Sequence, residues 1–156
     1  MDKDIFGKDY KPLLDEINSE LIVKTGLKTS DIAMYNPLVL AYIGDSVYEL
    51  YVRTLLVSHG SIQVAKLHKK AIAFVKAKSQ AELLEEVIQS ELTDDEKDIV
   101  RRGRNAKSGT VPKNAELVDY RMATGLEALF GYLYLVGNIE RLVYLFDKIR
   151  ESKEGD

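Results

Sequence analysis

Residues 36–52 have the sequence NPLVLAYIGDSVYELYV, and this stretch predicts the central helix of the fold. Asn36 can cap the helix, and Pro37 suits its first position because the missing amide would have lacked a partner anyway. Apolar side chains occupy nearly every side, which is typical of a helix packed on several sides. Asp45 and Glu49 lie four residues apart, hence on one face. Burying two like charges there destabilises the core unless a cation joins them; the alternative is a thin solvated stripe.

A second apolar helix has the same peculiarity. Residues 122–136, MATGLEALFGYLYLV, contain one charged residue, Glu127, at the centre. A membrane span needs about 20 apolar residues, so this shorter segment is predicted to be a buried helix of a soluble protein. Two core helices with isolated central acids suggest a shared carboxylate site.

Three motifs carry a resemblance to a known family. IGDSVYE at residues 43–49 and ATGLEALFGYLYL at 123–135 resemble the signature helix and the second metal-binding helix of the ribonuclease III family. RRGRNAKSG at 101–109, followed by PKN at 112–114, resembles the Mini-ribonuclease III branch of that family. The motifs occur in the family's order over roughly residues 36–149, so the resemblance covers most of the chain.

The predicted fold is all-α, because no segment shows sustained strand alternation between turn signals. The resemblance implies a ribonuclease III endonuclease domain that forms a homodimer. We expect an N-terminal extension with a short packing helix at 1–35, the catalytic domain at 36–150 and a disordered tail at 151–156. A chain of 156 residues leaves no room for an appended RNA-binding domain. The absence of cysteine and of a signal peptide favours a cytoplasmic protein that is not bound to membranes.

Local signals predict the remaining helices. Ser61 is expected to cap a helix that runs to about Lys78, with Ile62, Ala65, Ala71, Ala73 and Phe74 facing inward, and residues 80–89 form another with an apolar stripe. Thr93 and Glu96 form a capping box for a helix ending at Gly103. Residues 103–113 are predicted to be a loop, and Asn114 to cap a helix that runs from Ala115 to Tyr134. The last helix begins near Ile139, with Val143 among its inward side chains.

The net charge of −3 argues weakly against a nucleic-acid partner, but the charges are segregated. All charged residues from 53 to 78 and from 99 to 115 are basic. Two structural explanations are alternatives to RNA binding. The lysines at 66, 69 and 70 can form a solvated helix face, and Arg101 and Arg102 can interact favourably with the dipole at the end of their helix. With the resemblance, we expect RNA phosphates and sugars to contact Lys69, Lys70, Lys78, Arg101, Arg102, Arg104, Asn105, Lys107, Ser108 and Lys113.

The resemblance implies that Asp45 and Glu127 bind Mg²⁺ and are the catalytic residues. Two positions at which larger ribonuclease III enzymes carry further acids hold Ala41 and Thr124 here, which leaves fewer direct ligands. Glu49 either supplies an outer contact to the metal or pairs with Arg53 one turn away.

By resemblance, the expected function is magnesium-dependent cleavage of double-stranded RNA, maturing the ends of precursor 23S (large-subunit) ribosomal RNA. A ribosomal protein bound to the substrate is a further partner to consider. The alternative is a non-catalytic double-stranded RNA-binding protein on the same fold, which the losses at Ala41 and Thr124 keep open. A purely structural helical module leaves the isolated acids and the basic segments without a reason.

Overall fold

The computed structural model describes residues 19–107, 113 and 116–154, and these are helices and their connections without a strand. The all-α prediction is confirmed. A 3₁₀ turn, Thr29–Met34, precedes the first long helix. A π turn, Leu84–Ile88, and a 3₁₀ turn, Gln89–Glu91, lie in the middle of the chain. The helices are α1 (Pro37–Ser58), α2 (Val64–Val75), α3 (Ala77–Leu83), α4 (Asp94–Asn105), α5 (Leu117–Leu135) and α6 (Ile139–Glu154). No helix in the described part of the chain is long and apolar enough to cross a membrane.

Helix α1 begins as the sequence predicts. The Asn36 side chain accepts a hydrogen bond of 2.9 Å from the Leu38 amide, and Pro37 occupies the first helical position. The helix ends at Ser58, followed by Gly60 with φ +132°. These local signals therefore bound the longest described helix.

Helices α1 and α5 cross with their backbones in contact. A Cβ atom added to Gly44 of α1 would lie 1.6 Å from the carbonyl oxygen of Glu127, and one added to Gly131 of α5 would lie 1.9 Å from that of Leu40. Both distances are far below van der Waals contact, so only glycine fits at either position. Gly44 and Gly131 therefore permit the close approach of the two helices, and the crossing brings the segment around Asp45 next to Glu127.

The main core lies on the side of this crossing where α1 and α5 meet α3, the π turn and α6. Tyr48 is fully buried, its ring packs edge-on against Phe130 at 5.3 Å, and its hydroxyl donates a 2.8 Å hydrogen bond to the Phe74 carbonyl. The predicted apolar stripe of residues 83–88 faces this core. Aromatic and aliphatic packing therefore fixes α2 and α3 against α1.

The prediction of one helix from Ser61 to Lys78 is wrong. Helix α2 starts at Val64 without a side-chain cap, and the chain breaks at Lys76, which has extended backbone. Ile62, Ala65 and Ala73, which were predicted to face inward, are exposed. In a continuous helix the Phe74 carbonyl would accept from the amide of Lys78. Here it accepts from the Tyr48 hydroxyl instead, which a local sequence pattern does not reveal.

The capping box of α4 is confirmed, with the Thr93 amide donating to the Glu96 carboxylate at 3.0 Å and the Glu96 amide donating to the Thr93 hydroxyl at 3.2 Å. The predicted stop at Gly103 is wrong, since α4 continues to Asn105. A Cβ atom on Gly103 would lie 2.9 Å from the Cα of Gly125 in α5. Gly103 therefore permits a second close helix approach, and residues 104 and 105 belong to the helix rather than to the predicted loop.

A buried ion pair joins α6 to α4. Arg141 forms a 2.8 Å salt bridge with Glu96 and also donates to the Glu91 carbonyl. Burial alone would raise the pKa of Glu96, but the hydrogen bonds from Arg141 and Thr93 hold it below its ordinary value. The Glu96 carboxylate thus caps α4 and anchors α6 at once.

The chain ends differ from expectation where they are described. Helix α6 extends to Glu154, because Arg150 pairs with Glu154 one turn later, so the predicted disordered tail is wrong for residues 151–154. Val143 is exposed rather than inward. Helix α5 starts at Leu117, and the predicted cap Asn114 lies outside the described residues. Most of the predicted N-terminal helix also lies outside them; residues 19–25 are helical and Ile22 is buried.

Replacing Gly44 with alanine should lower the free energy of unfolding by about 3 kcal/mol, because the methyl group collides with the α5 backbone rather than with a side chain that can move. Urea unfolding followed by circular dichroism measures this loss. Thr54→Ala, an exposed change on the same helix, is the control and should stay within about 0.5 kcal/mol. Equal stability of Gly44→Ala and the control would contradict the backbone contact.

Candidate active site

A cleft of about 390 Å³ lies between α1 and α5, beside the glycine crossing. Asp45 enters it from α1, one residue after Gly44, and Glu127 enters it from α5. Asp45 is exposed, whereas Glu127 is half-buried. The sequence-based expectation that the two acids share one site is met in geometry. The cleft is lined by Leu38, Ala41, Tyr42, Ile43, Asp45, Ser46, Tyr120, Thr124 and Glu127.

The two carboxyl groups lie close enough to change each other's pKa. Burial, followed by the negative charge of Asp45, raises the pKa of Glu127 to about 8. Burial also raises the pKa of Asp45, and the charge of Glu49 adds to the increase. Two carboxylates this close repel each other when both are ionised, so near neutral pH the pair holds either a proton or a cation.

The donor set fits a hard divalent cation. Carboxylate oxygens are ligands that Mg²⁺ prefers, and Mg²⁺ keeps several of its waters, for which the open cleft has room. No group of three or more His, Cys, Asp or Glu side chains that could hold a metal occurs among the residues that the structure describes. Ala41 and Thr124 both line the cleft, and the Thr124 hydroxyl donates to the Tyr120 carbonyl at 2.9 Å. Asp45 and Glu127 would therefore be the protein's carboxylate ligands.

Gln80 is a site residue that sequence reasoning missed. Its side chain is buried, and its amide donates a hydrogen bond to the Glu127 carboxylate, which favours the ionised form of that group. No local signal distinguished it, because Lys78, Ser79 and Glu82 make its sequence surroundings polar.

Glu49 lies on the surface rather than in the core. It is half-buried and forms a 3.3 Å ion pair with Arg53, which is the second of the two expected alternatives. Its charge still reaches Asp45 through space, as the raised pKa of Asp45 shows.

Most of the predicted RNA-contacting side chains are exposed. Arg102 is the exception: its guanidinium donates to the carbonyls of Ala33 and Tyr35, the latter at 3.0 Å, and so holds the 3₁₀ turn that precedes α1. Arg102 therefore stabilises the fold through these contacts, and an RNA contact at this residue stays a prediction. Arg101 is exposed but pairs with Asp98. Ser108 lies outside the described residues. The exposed members are Lys69, Lys70, Lys78, Arg101, Arg104, Asn105, Lys107 and Lys113.

Comparison with known proteins gives consistent matches. The Ribonuclease III domain family matches residues 38–138. Mini-ribonuclease 3 of Thermoanaerobacter sp. (strain X514) is 52% identical over 125 residues, which cover 80% of this chain and 84% of that protein. Mini-ribonuclease 3 of Enterococcus faecalis is 45% identical, with coverage of 80% and 98%. The crystal structure of protein FN1578 from Fusobacterium nucleatum superposes with a TM-score of 0.71 at 31% identity, covering 79% of this chain and 98% of that one.

The helical domain, its paired acids and these matches define an endoribonuclease of the ribonuclease III class. Double-stranded RNA is the substrate class that accompanies a ribonuclease III domain. Within that class, the chain belongs to the Mini-ribonuclease 3 family. The alternative of a non-catalytic protein on the same fold loses its support, because the relatives are named as ribonucleases.

The raised pKa of Glu127 predicts a pH-dependent stability in the presence of a chelator. The folded protein retains a proton up to about pH 8, whereas the unfolded chain releases it near the ordinary pKa of 4.5, so folding binds a proton between these values. The free energy of unfolding should therefore fall as pH rises from about 5 to 8. Urea titrations across this range measure the slope. Glu127→Gln, which cannot titrate, should lose that contribution; an unchanged slope in this variant contradicts the assignment.

Proposed function

We propose that the protein is a magnesium-dependent endoribonuclease that cleaves double-stranded RNA as a homodimer, and that it matures the ends of precursor 23S ribosomal RNA in the cytoplasm. The observation that carries the proposal is the meeting of the Asp45 and Glu127 carboxyl groups in an open cleft. A structural role does not account for two acids with raised pKa values in one cleft, whereas binding of a cation does.

Asp45 and Glu127 would hold the metal ion. When bound, Mg²⁺ supplies an acidified water, stabilisation of the leaving oxygen and neutralisation of phosphate charge. In hydrolysis the water oxygen forms a bond to phosphorus while the bond from phosphorus to the leaving oxygen breaks. The remaining walls of the cleft, including Tyr42 and Ser46, leave one side open to the RNA backbone.

The exposed basic side chains support RNA binding through phosphates. Double-stranded RNA is recognised mainly by its shape, phosphates and 2′-hydroxyl groups. We propose that α2 contributes Lys69 and Lys70, α3 contributes Lys78, and the end of α4 with the following segment contributes Arg101, Arg104, Asn105, Lys107, Ser108 and Lys113. Binding of this kind weakens steeply as salt concentration rises.

The outer face of α1 supports a homodimer. Tyr42 and Leu50 are 82% and 65% exposed, and Val39 is exposed as well. Val39, Tyr42 and Leu50 follow helical spacing, so they form one apolar stripe. A stripe of this kind fits a second copy of the same helix across a two-fold axis. Because Tyr42 also lines the cleft, each catalytic site would lie beside the subunit boundary.

The substrate proposal rests on the Mini-ribonuclease 3 family membership. Duplex RNA alone offers few features for selection, because its helix is read mainly by shape, phosphates and 2′-hydroxyl groups. We propose that the structure of the ribosomal precursor, together with a ribosomal protein bound to it, selects the cleavage position.

Asp45→Asn should reduce cleavage of an RNA duplex about 1,000-fold or more. Removing a metal ligand loses several kcal/mol of transition-state stabilisation, and each 1.36 kcal/mol is a factor of ten in rate. Single-turnover cleavage of a labelled duplex, with magnesium or with chelator, measures this. Asp147→Asn on α6, an acid remote from the cleft, is the control and should cleave normally. Cleavage that persists in chelator, or in Asp45→Asn, would overturn the metal-dependent mechanism.

Leu50→Asp should weaken the homodimer at least about 100-fold, because a charge without a partner would be buried at the interface. Sedimentation velocity over a range of protein concentrations measures the dissociation constant. Val143→Asp places the same charge on an exposed apolar position of α6 and should leave the dimer intact. A wild type that sediments as a monomer at all concentrations rejects the dimer.

A further inference from the structure

The described part of the chain buries three polar or charged side chains, Gln80, Glu96 and Thr124. Two of them have structural partners: Glu96 binds Arg141 and caps α4, and the Thr124 hydroxyl bonds to its own helix at Tyr120. Gln80 is 2% exposed, and its hydrogen bond goes to Glu127 in the cleft. Of the three, Gln80 is therefore the one that interacts with a carboxyl group of the proposed metal site.

The surroundings of Gln80 would accept an apolar side chain. Its neighbours on α3 and the following turn, Ala81, Leu83 and Leu84, are all buried against the core. A buried amide without a partner costs about 1 to 3 kcal/mol, whereas an apolar side chain of similar volume costs little. The packing of α3 therefore does not require glutamine, and its hydrogen bond to Glu127 supplies the reason for it.

The position of Gln80 suits the orientation of a carboxylate. Glu127 contacts Asp45 on α1, and it accepts from Gln80 on α3. The backbone of Glu127 is held at the glycine crossing, since its carbonyl lies against Gly44. Its side-chain torsions are the remaining freedom, and a fixed donor restricts them. An amide is neutral, so it orients the carboxylate without cancelling the charge that a cation needs, as a lysine or arginine would.

We propose that Gln80 is a positioning residue of the active site, whose buried amide holds the Glu127 carboxylate turned toward Asp45. This inference rests on the proposed function, in which these two carboxylates bind magnesium. Gln80 acts through Glu127 and does not itself contact the metal or the RNA.

Gln80→Met removes the donor and nearly conserves volume. The magnesium concentration that gives half-maximal single-turnover cleavage should rise about 10- to 100-fold, the usual effect of losing a hydrogen-bond partner of a metal ligand. KM for the RNA duplex should stay within about twofold. Leu83→Met, a volume-conserving change at a buried position of the same helix, is the matched control and should leave the magnesium dependence unchanged.

Two readouts do not depend on turnover. Magnesium titrations of RNA-free protein, followed by amide NMR shifts, should show a similar 10- to 100-fold weakening in Gln80→Met. In a Glu127→Gln background, Gln80→Met should add no further weakening, because a residue that acts through Glu127 has nothing left to position. Full additivity of the two substitutions would overturn the proposal.

A third measurement uses folded protein even if Gln80→Met proves unstable. The side-chain amide signal of Gln80 should shift in wild type on magnesium binding and again in Glu127→Gln; an insensitive signal overturns the proposal.

The results distinguish failure of the proposed function from failure of the Gln80 proposal. A wild type without magnesium-dependent cleavage overturns both the metal mechanism and the role of Gln80. Magnesium-dependent cleavage with an unaltered, folded Gln80→Met overturns the positioning role alone.

Discussion

The contact between the backbones of α1 and α5 is the constraint on which the fold and the site both depend. Gly44 and Gly131 each occupy a place where a Cβ atom would overlap a carbonyl oxygen of the other helix. Two helices in such contact have little freedom to slide or rotate, since close-packed surfaces offer few alternative arrangements. Because Asp45 follows Gly44 directly and Gly44 touches the Glu127 carbonyl, the register that packs the core also places the two acids.

This arrangement keeps the carboxyl groups of Asp45 and Glu127 close together, where they repel each other when both are ionised. The core holds α1 and α5 close through Tyr48, Phe130 and their apolar neighbours, and the acids must share the cleft whatever their charge state. The protein relieves the repulsion with a proton on Glu127, whose pKa lies near 8. Under the proposed function, a divalent cation replaces that proton. The energy of apolar packing would then hold a preorganised pair of ligands, which the side chains alone would not form.

Local sequence signals predicted the parts of the fold that depend on neighbouring residues. The Asn36 cap, the Thr93 and Glu96 capping box and the apolar stripe of residues 83–88 are such features. Predictions failed where a residue serves a distant partner. Gly103 does not end α4, because it faces Gly125. Arg102 binds carbonyls near residue 34, a contact that no local signal indicated. Single charges in apolar helices located Asp45 and Glu127, but nothing local marked Gln80.

The apolar pattern of α1 has two different causes. Leu40, Val47, Tyr48 and Val52 are buried in the cores of this chain. The exposed stripe with Tyr42 and Leu50 has no covering element within the described residues, and the proposed second copy would supply one. Asp45 and Ser46 occupy the opening between these two surfaces. On this reasoning, α1 would contribute to the core, to the subunit interface and to the catalytic site. These three roles would explain why the helix is apolar on most sides and carries Asp45 and Ser46 where it lines the cleft.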